Sequence, residues 1–343
     1  MLPHREPDFS QMLRVLNKQR PDRPVMFEFL VDGAHLKAIL GSEWAEGDGV
    51  DELLHNWVRG FAACGYDFST MPVWGLDLLE FPGKNRTREK SVGMAHGGMI
   101  HDRATLEAYP WPDTSNYDYS ILDRVARHLR PNQKVIIHGP GGVLENATEL
   151  AGYEELCFLI ADEPDAAEEL FDRIGRLLWK HYDLLLDHPC IGGAFVNDDW
   201  GFKTQPFLPP DLMRKYVFPW NRRIIERIHQ SGKPAILHSC GNLDTLWDDI
   251  LCDLKIDAKH SYEDEIHPVE EVYEQFVGKM AVMGGIDVDF LCRSTPAQIA
   301  DRCRKMLERT ASRGGYALGS GNSIPNYVPL ESYLAMQRVG FEG

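Results

Sequence analysis

A histidine and a cysteine two residues apart, His238 and Cys240, end the apolar run Pro234-Ala235-Ile236-Leu237. Residues two apart in a strand project to the same side, so an imidazole and a thiol would leave one strand end together. Both are donors that suit zinc better than magnesium or calcium. Two donors do not make a site, and the rest of the chain must supply the others. Asp198 and Asp199, in Asn197-Asp198-Asp199-Trp200-Gly201, could complete a metal site or orient a substrate, or could close a turn or cap a helix. Glu145 is a further oxygen donor, and Asn322, in Ser320-Gly321-Asn322-Ser323, could hydrogen-bond a ligand. His138, Glu145, His260, Trp200 and Asp287 are candidate substrate contacts. Each also has an ordinary role, as hydrogen-bonded wall, packing or turn residue. Gly141-Gly142, just after His138, could cradle an anion, although it lacks a phosphate-loop fingerprint.

These residues need a scaffold that gathers strand ends. Eight short apolar runs alternate with longer amphipathic stretches, at 25–30, 66–72, 134–138, 193–197, 234–239, 257–261, 281–287 and 316–320. Such runs, separated by helices, mark a parallel sheet covered on its outer face. Helix signals fall between them. A first helix is expected over 8–19, another over 119–129, and one starting at Asp162-Glu163-Pro164-Asp165 carries an apolar stripe through Leu170, Ile174 and Leu178. A fourth runs from Pro209-Pro210-Asp211 to about residue 229, and a fifth starts at Thr295-Pro296. The expected fold is α/β, a single (β/α)8 TIM barrel over residues 1–343, with an N-terminal helix and a polar insertion, 74–111, after the second strand. Within the insertion, 84–100 is expected as a hairpin or lid. In such barrels the active site lies at the C-terminal strand ends. That is where the candidate residues fall, with Glu28, Asp32, Lys259 and Ser261 beside them.

The composition narrows the function classes. A net charge of −16 without a basic run argues against nucleic-acid binding through phosphates. The polar, proline-broken start is unlike a secretory signal, and no apolar run approaches the ~20 residues of a membrane helix. Seven scattered cysteines suit a reducing cytoplasm better than a disulfide framework.

From Asn197-Asp198-Asp199-Trp200-Gly201 through His238-Ser239-Cys240-Gly241-Asn242, and on to Gly284-Gly285-Ile286-Asp287 and Gly321-Asn322-Ser323-Ile324-Pro325, the chain resembles the uroporphyrinogen decarboxylase superfamily. The likeness is to its cobalamin-dependent methyltransferase branch in particular. The resemblance implies one (β/α)8 barrel and a choice between two chemistries. Decarboxylases of the family carry an arginine-rich segment after the first strand and a Phe-Ser-Asp motif after the second. Here those regions read Phe27-Glu28-Phe29-Leu30-Val31-Asp32-Gly33 and Phe68-Ser69-Thr70-Met71. Arginine clamps for a carboxylate-rich tetrapyrrole are missing there. The methyltransferases hold zinc with a His-x-Cys pair, matched by His238 and Cys240, and a later cysteine, replaced here around Asn322. An oxygen ligand from Asp198, Asp199 or Glu145 would fill that place, or metal binding would be weakened. The resemblance therefore implies methyl transfer between a small molecule and a corrinoid on a partner protein, or a thiol acceptor. Metal-free decarboxylation and a non-catalytic binding barrel are the alternatives.

Overall fold

The computed structural model describes residues 2–71, 78–83 and 98–342. Seven short parallel strands pair in chain order: β1 (Phe68–Thr70), β2 (Lys134–Ile137), β3 (Ile191–Asn197), β4 (Ala235–His238), β5 (Ala258–His260), β6 (Ala281–Met283) and β7 (Tyr316–Ala317). Each overlaps an expected apolar run, with β3 starting two residues before its own. Helices follow the strands and cover the outer face, so the strands are buried almost throughout and need no polar alternation. The result is a curled, TIM-barrel-like α/β sheet. Inside it, Phe27 stacks on Phe68 with ring centres 5.5 Å apart, and Phe29 meets Phe195 edge-on at 4.9 Å.

The first expected strand, 25–30, is not a continuous strand. It touches the β7 side through two isolated parallel bridges, Met26 with Leu318 and Val31 with Ile324. The interruption has a local cause. Glu28 Oε1 accepts the Ser320 N–H at 2.7 Å and Oε2 accepts the Ser320 hydroxyl at 2.6 Å. A side chain thus takes the donor that a strand ladder would use.

Glu28 is fully buried. Burial pushes its carboxyl up to about 8, against the pull of the Ser320 hydrogen bonds. Above its ordinary value of 4.5 the unfolded chain releases this proton, whereas the folded chain keeps it up to about 8. Stability therefore falls as pH rises through that window. The slope from this group is at most about 1.4 kcal/mol per pH unit. Denaturation midpoints followed from about pH 5 to 8 should be flatter in Glu28→Gln than in the wild type, and an unchanged slope would contradict a buried neutral Glu28.

The helices begin where the signals placed them. Asp8 caps Phe9–Leu16, proline occupies the first turn of Pro164–Leu186, and Thr295 with Gln298 forms a capping box on Pro296–Thr310. The first helix ends short of 19, where Lys18 turns left-handed at φ 59°. The helix expected from 209 to 229 contains a π-turn, Met213–Val217, before it continues as Phe218–Gln230. Pro219 has no N–H for the carbonyl four residues back, and the wider turn sits just ahead of it.

The insertion re-joins the barrel at 98–111. The N–H groups of Met99 and Ile100 both donate to the Leu150 carbonyl, and Trp111 lies against the Arg173 guanidinium at 5.5 Å. The hairpin or lid expected over 84–100 falls almost wholly outside the described residues. Among the described residues, no helix is long and apolar enough to cross a membrane.

Candidate metal centre at the strand ends

Strand register decides which side chains meet. Asn197 of β3 pairs with His238 of β4, and His238 pairs with His260 of β5. Two residues beyond the first pair, Asp199 comes alongside Cys240, whose backbone N–H donates to Asp199 Oδ1 at 2.8 Å. The two loops approach closely because Gly241, at φ +88°, has no side chain. A Cβ there would sit 2.1 Å from the Gly201 carbonyl oxygen. Ligand atoms of Asp199, His238 and Cys240 all lie within 4.8 Å of one another.

Asp198 goes elsewhere. One residue of offset sends its side chain to the other face of the strand. There its buried carboxylate accepts the N–H groups of Val143, Leu144 and Glu145 at 2.9–3.2 Å. It caps the helix Val143–Ala151, where the N-terminal N–H groups lack partners within the helix. Gly142 makes room, since a Cβ there would collide with Asp198 at 2.1 Å. The anion cradle suggested by Gly141-Gly142 is therefore filled from within. Burial raises Asp198 to about 6, while these hydrogen bonds pull it down. Glu145 also serves this helix start, accepting the Gly142 N–H at 2.9 Å.

Cys240 Sγ accepts a hydrogen bond from Asn322 Nδ2 at 3.1 Å and lies 3.6 Å from the Ser261 hydroxyl. Burial pushes the thiol strongly up, and the charge of Asp199 adds to this. Cys240 is thus held as a thiol, and a bound cation is what would make it a thiolate. His238 packs face to face with Phe29 at 4.2 Å, and its Nδ1 meets His260 Nδ1 at 2.9 Å. Burial pulls His238 down to about 3, with Lys259 and His138 acting the same way. A neutral imidazole, a carboxylate and an ionisable thiol form a donor set that fits zinc.

Lys259 was expected among the polar residues at the strand ends, without an assigned role. Its buried ammonium donates to the carbonyls of Ser239 at 3.1 Å and Ser261 at 2.6 Å, and lies 4.5 Å from the Tyr262 ring. Burial lowers it to about 8, while the Asp199 charge, and Cys240 whenever it is a thiolate, act in the opposite direction. It binds together the two loops that carry Cys240 and Ser261.

The remaining candidates are dispersed. His138 is buried, its Nδ1 2.9 Å from the Gly139 carbonyl and its ring edge-on to Phe29 at 5.2 Å. Trp200 is wholly buried against Phe218, a packing position rather than a stacking platform. Asp287 accepts from the N–H groups of Phe290 and Asp264, capping Val288–Arg293, and borders an open cleft of about 930 Å³. Tyr262, Phe290, Asn322 and Tyr327 also line this cleft, so Asn322 joins it to the metal corner.

The family model described as uroporphyrinogen decarboxylase (URO-D) matches residues 98–339. Similar curated proteins include the uroporphyrinogen decarboxylase of Chloroflexus aggregans, 25% identical over 292 residues that cover 80% of this chain and 77% of the relative. That of Anaeromyxobacter dehalogenans is 24% identical over 277 residues, covering 78% and 75%. Among solved structures, a methyltransferase from Methanosarcina mazei superposes with a TM-score of 0.72 at 17% identity, covering 97% of this chain and 98% of that one. The fold is shared.

Proposed function

The chain belongs to the uroporphyrinogen decarboxylase (URO-D) family, and from that membership we propose that it is a zinc-dependent methyltransferase. It would move a methyl group between a small-molecule donor and a corrinoid on a partner protein, or a thiol acceptor. The observation that carries this reading is the convergence of Asp199, His238 and Cys240 beside the cleft that contains Asn322. Three protein donors with an open side suit a catalytic rather than a structural zinc site. Zinc, when bound, would act as a Lewis acid toward the donor's leaving atom and stabilise the Cys240 thiolate. The Asn322 amide would donate to that sulfur, and the Lys259 ammonium would offset the negative charge gathered on Asp199 and Cys240. We read the sheet as a closed eight-stave barrel forming one domain over 1–343, with 25–31 as the eighth stave. The seven unpaired cysteines suit a cytoplasmic setting.

The cleft disfavours the decarboxylase alternative. Its described lining includes Glu263, Asp264, Glu265, Asp287 and Asp289, against the cations Lys203 and Arg293. Lys203 is paired with Glu265, and Arg293 with Asp289. A carboxylate-rich tetrapyrrole would meet like charge there. Thr70, at the position of the family's aspartate, lies buried with its carbonyl and hydroxyl toward the Trp57 indole N–H.

Purified protein should contain about one zinc per chain, as three protein donors converge on a single point. Cob(I)alamin methylation in a screen of methylated oxygen and nitrogen donors should stop on exhaustive chelation and return with zinc. Carbon dioxide release that survives chelation would establish the decarboxylase instead. Tight ligand binding without any turnover would favour the non-catalytic barrel.

A further inference from the structure

Beyond the metal corner, a hydrogen-bond chain crosses three strand ends, and its direction is set by chemistry. It begins at buried Glu28, which accepts both the N–H and the hydroxyl of Ser320 and so holds that residue in place. The Ser320 carbonyl lies 3.1 Å from His260 Nε2. A carbonyl oxygen only accepts, so the Nε2 of His260 carries a proton. The ring is fully buried against Phe27, and its hydrogen-bond partners are the Ser320 carbonyl and the His238 ring, with no carboxylate among the described residues paired to it to hold a charge, so it sits there as a neutral imidazole. A neutral imidazole has one N–H, which leaves His260 Nδ1 a bare acceptor. Its partner at 2.9 Å is His238 Nδ1, which must therefore donate. His238 is itself buried against Phe29 and its ring proton is engaged at Nδ1, so its Nε2 is left with a free lone pair.

We propose that His260 is a positioning residue that fixes the tautomer of His238, making Nε2 its metal-binding nitrogen. The two rings meet because His238 and His260 are directly paired across β4 and β5. Without this acceptor, a free histidine would exchange between tautomers, and one of them offers the wrong nitrogen. Outer partners of this kind orient a ligand ring before metal arrives. The inference rests on the metal site proposed above, but the tautomer itself is a property of the metal-free protein.

The test begins with metal-free wild-type protein labelled with 15N at histidine, read by long-range 1H–15N correlation of the ring nitrogens. The expected result is His238 protonated at Nδ1 and His260 at Nε2. His260→Leu removes the acceptor, and zinc affinity in competition with a chromophoric chelator should fall about 10–100-fold, the usual cost of losing an outer partner. His260→Asn keeps an acceptor near the Nδ1 position and should recover most of that affinity. A wild-type His238 protonated at Nε2 would overturn the proposal without any variant. Wild-type zinc affinity in His260→Leu would do the same. If the wild type binds no zinc, the metal reading fails, while the tautomer measurement still judges the relay.

Discussion

Replacing Cys240 by alanine is expected to weaken zinc binding by about 10²–10³-fold and to abolish zinc-dependent methyl transfer. The magnitude follows from about 10–16 kcal/mol for a four-ligand zinc site, which is about 2.5–4 kcal/mol for each donor. Cys240 is the one thiol among Asp199, His238 and Cys240, and it is the anchor for Asn322. The fold should survive the change. The residue is only partly buried, the hydrogen bond to Asp199 comes from its backbone N–H, and truncation leaves that bond in place. A loss within about 1 kcal/mol in chemical denaturation would be ordinary for such a site. Zinc titration and the melt together decide the matter. Undiminished zinc affinity and activity in a folded Cys240→Ala protein would remove the corner from the mechanism.

The second large effect concerns stability and separates two neighbouring aspartates. Asp198→Ala should destabilise the protein by about 3–5 kcal/mol, because three helix N–H groups lose their acceptor in a buried setting. Asp198→Asn, which keeps one acceptor oxygen, should lose less. Asp199→Ala should reverse the pattern, with little change in denaturation midpoint and a clear loss of zinc affinity. If Asp198→Ala were as stable as the wild type but metal-free, the roles of the two residues would be exchanged. Measured side by side, the pair checks the strand register as well as the site.

That pair also marks the boundary of what was legible beforehand. Adjacent acids in one sequence motif are equivalent as letters, and both were candidates to join His238 and Cys240. The strand alternation sends them to opposite faces, but which face is which depends on the pairing of β3 with β4. Glu28 is similar. Its run reads as a strand, and only the approach of Ser320 shows that its carboxylate replaces part of the ladder. Asn322 was expected to hydrogen-bond a ligand, and the structure sets it in the cleft wall and against the Cys240 sulfur.

Local pattern alone determined the strand and helix rhythm, the helix caps at Asp8 and Thr295, and the shared side of His238 and Cys240. These depend on neighbours within a few residues, where the strand and helix periods are set by backbone geometry. The family motifs also lay in the sequence. Tertiary structure alone decided that Asp199 rather than Asp198 meets the thiol, that Lys259 spans the two loops, and that His260 faces His238. Those contacts join strands 20 or more residues apart in the chain, and a shift of one residue in register would have turned each side chain to the opposite face.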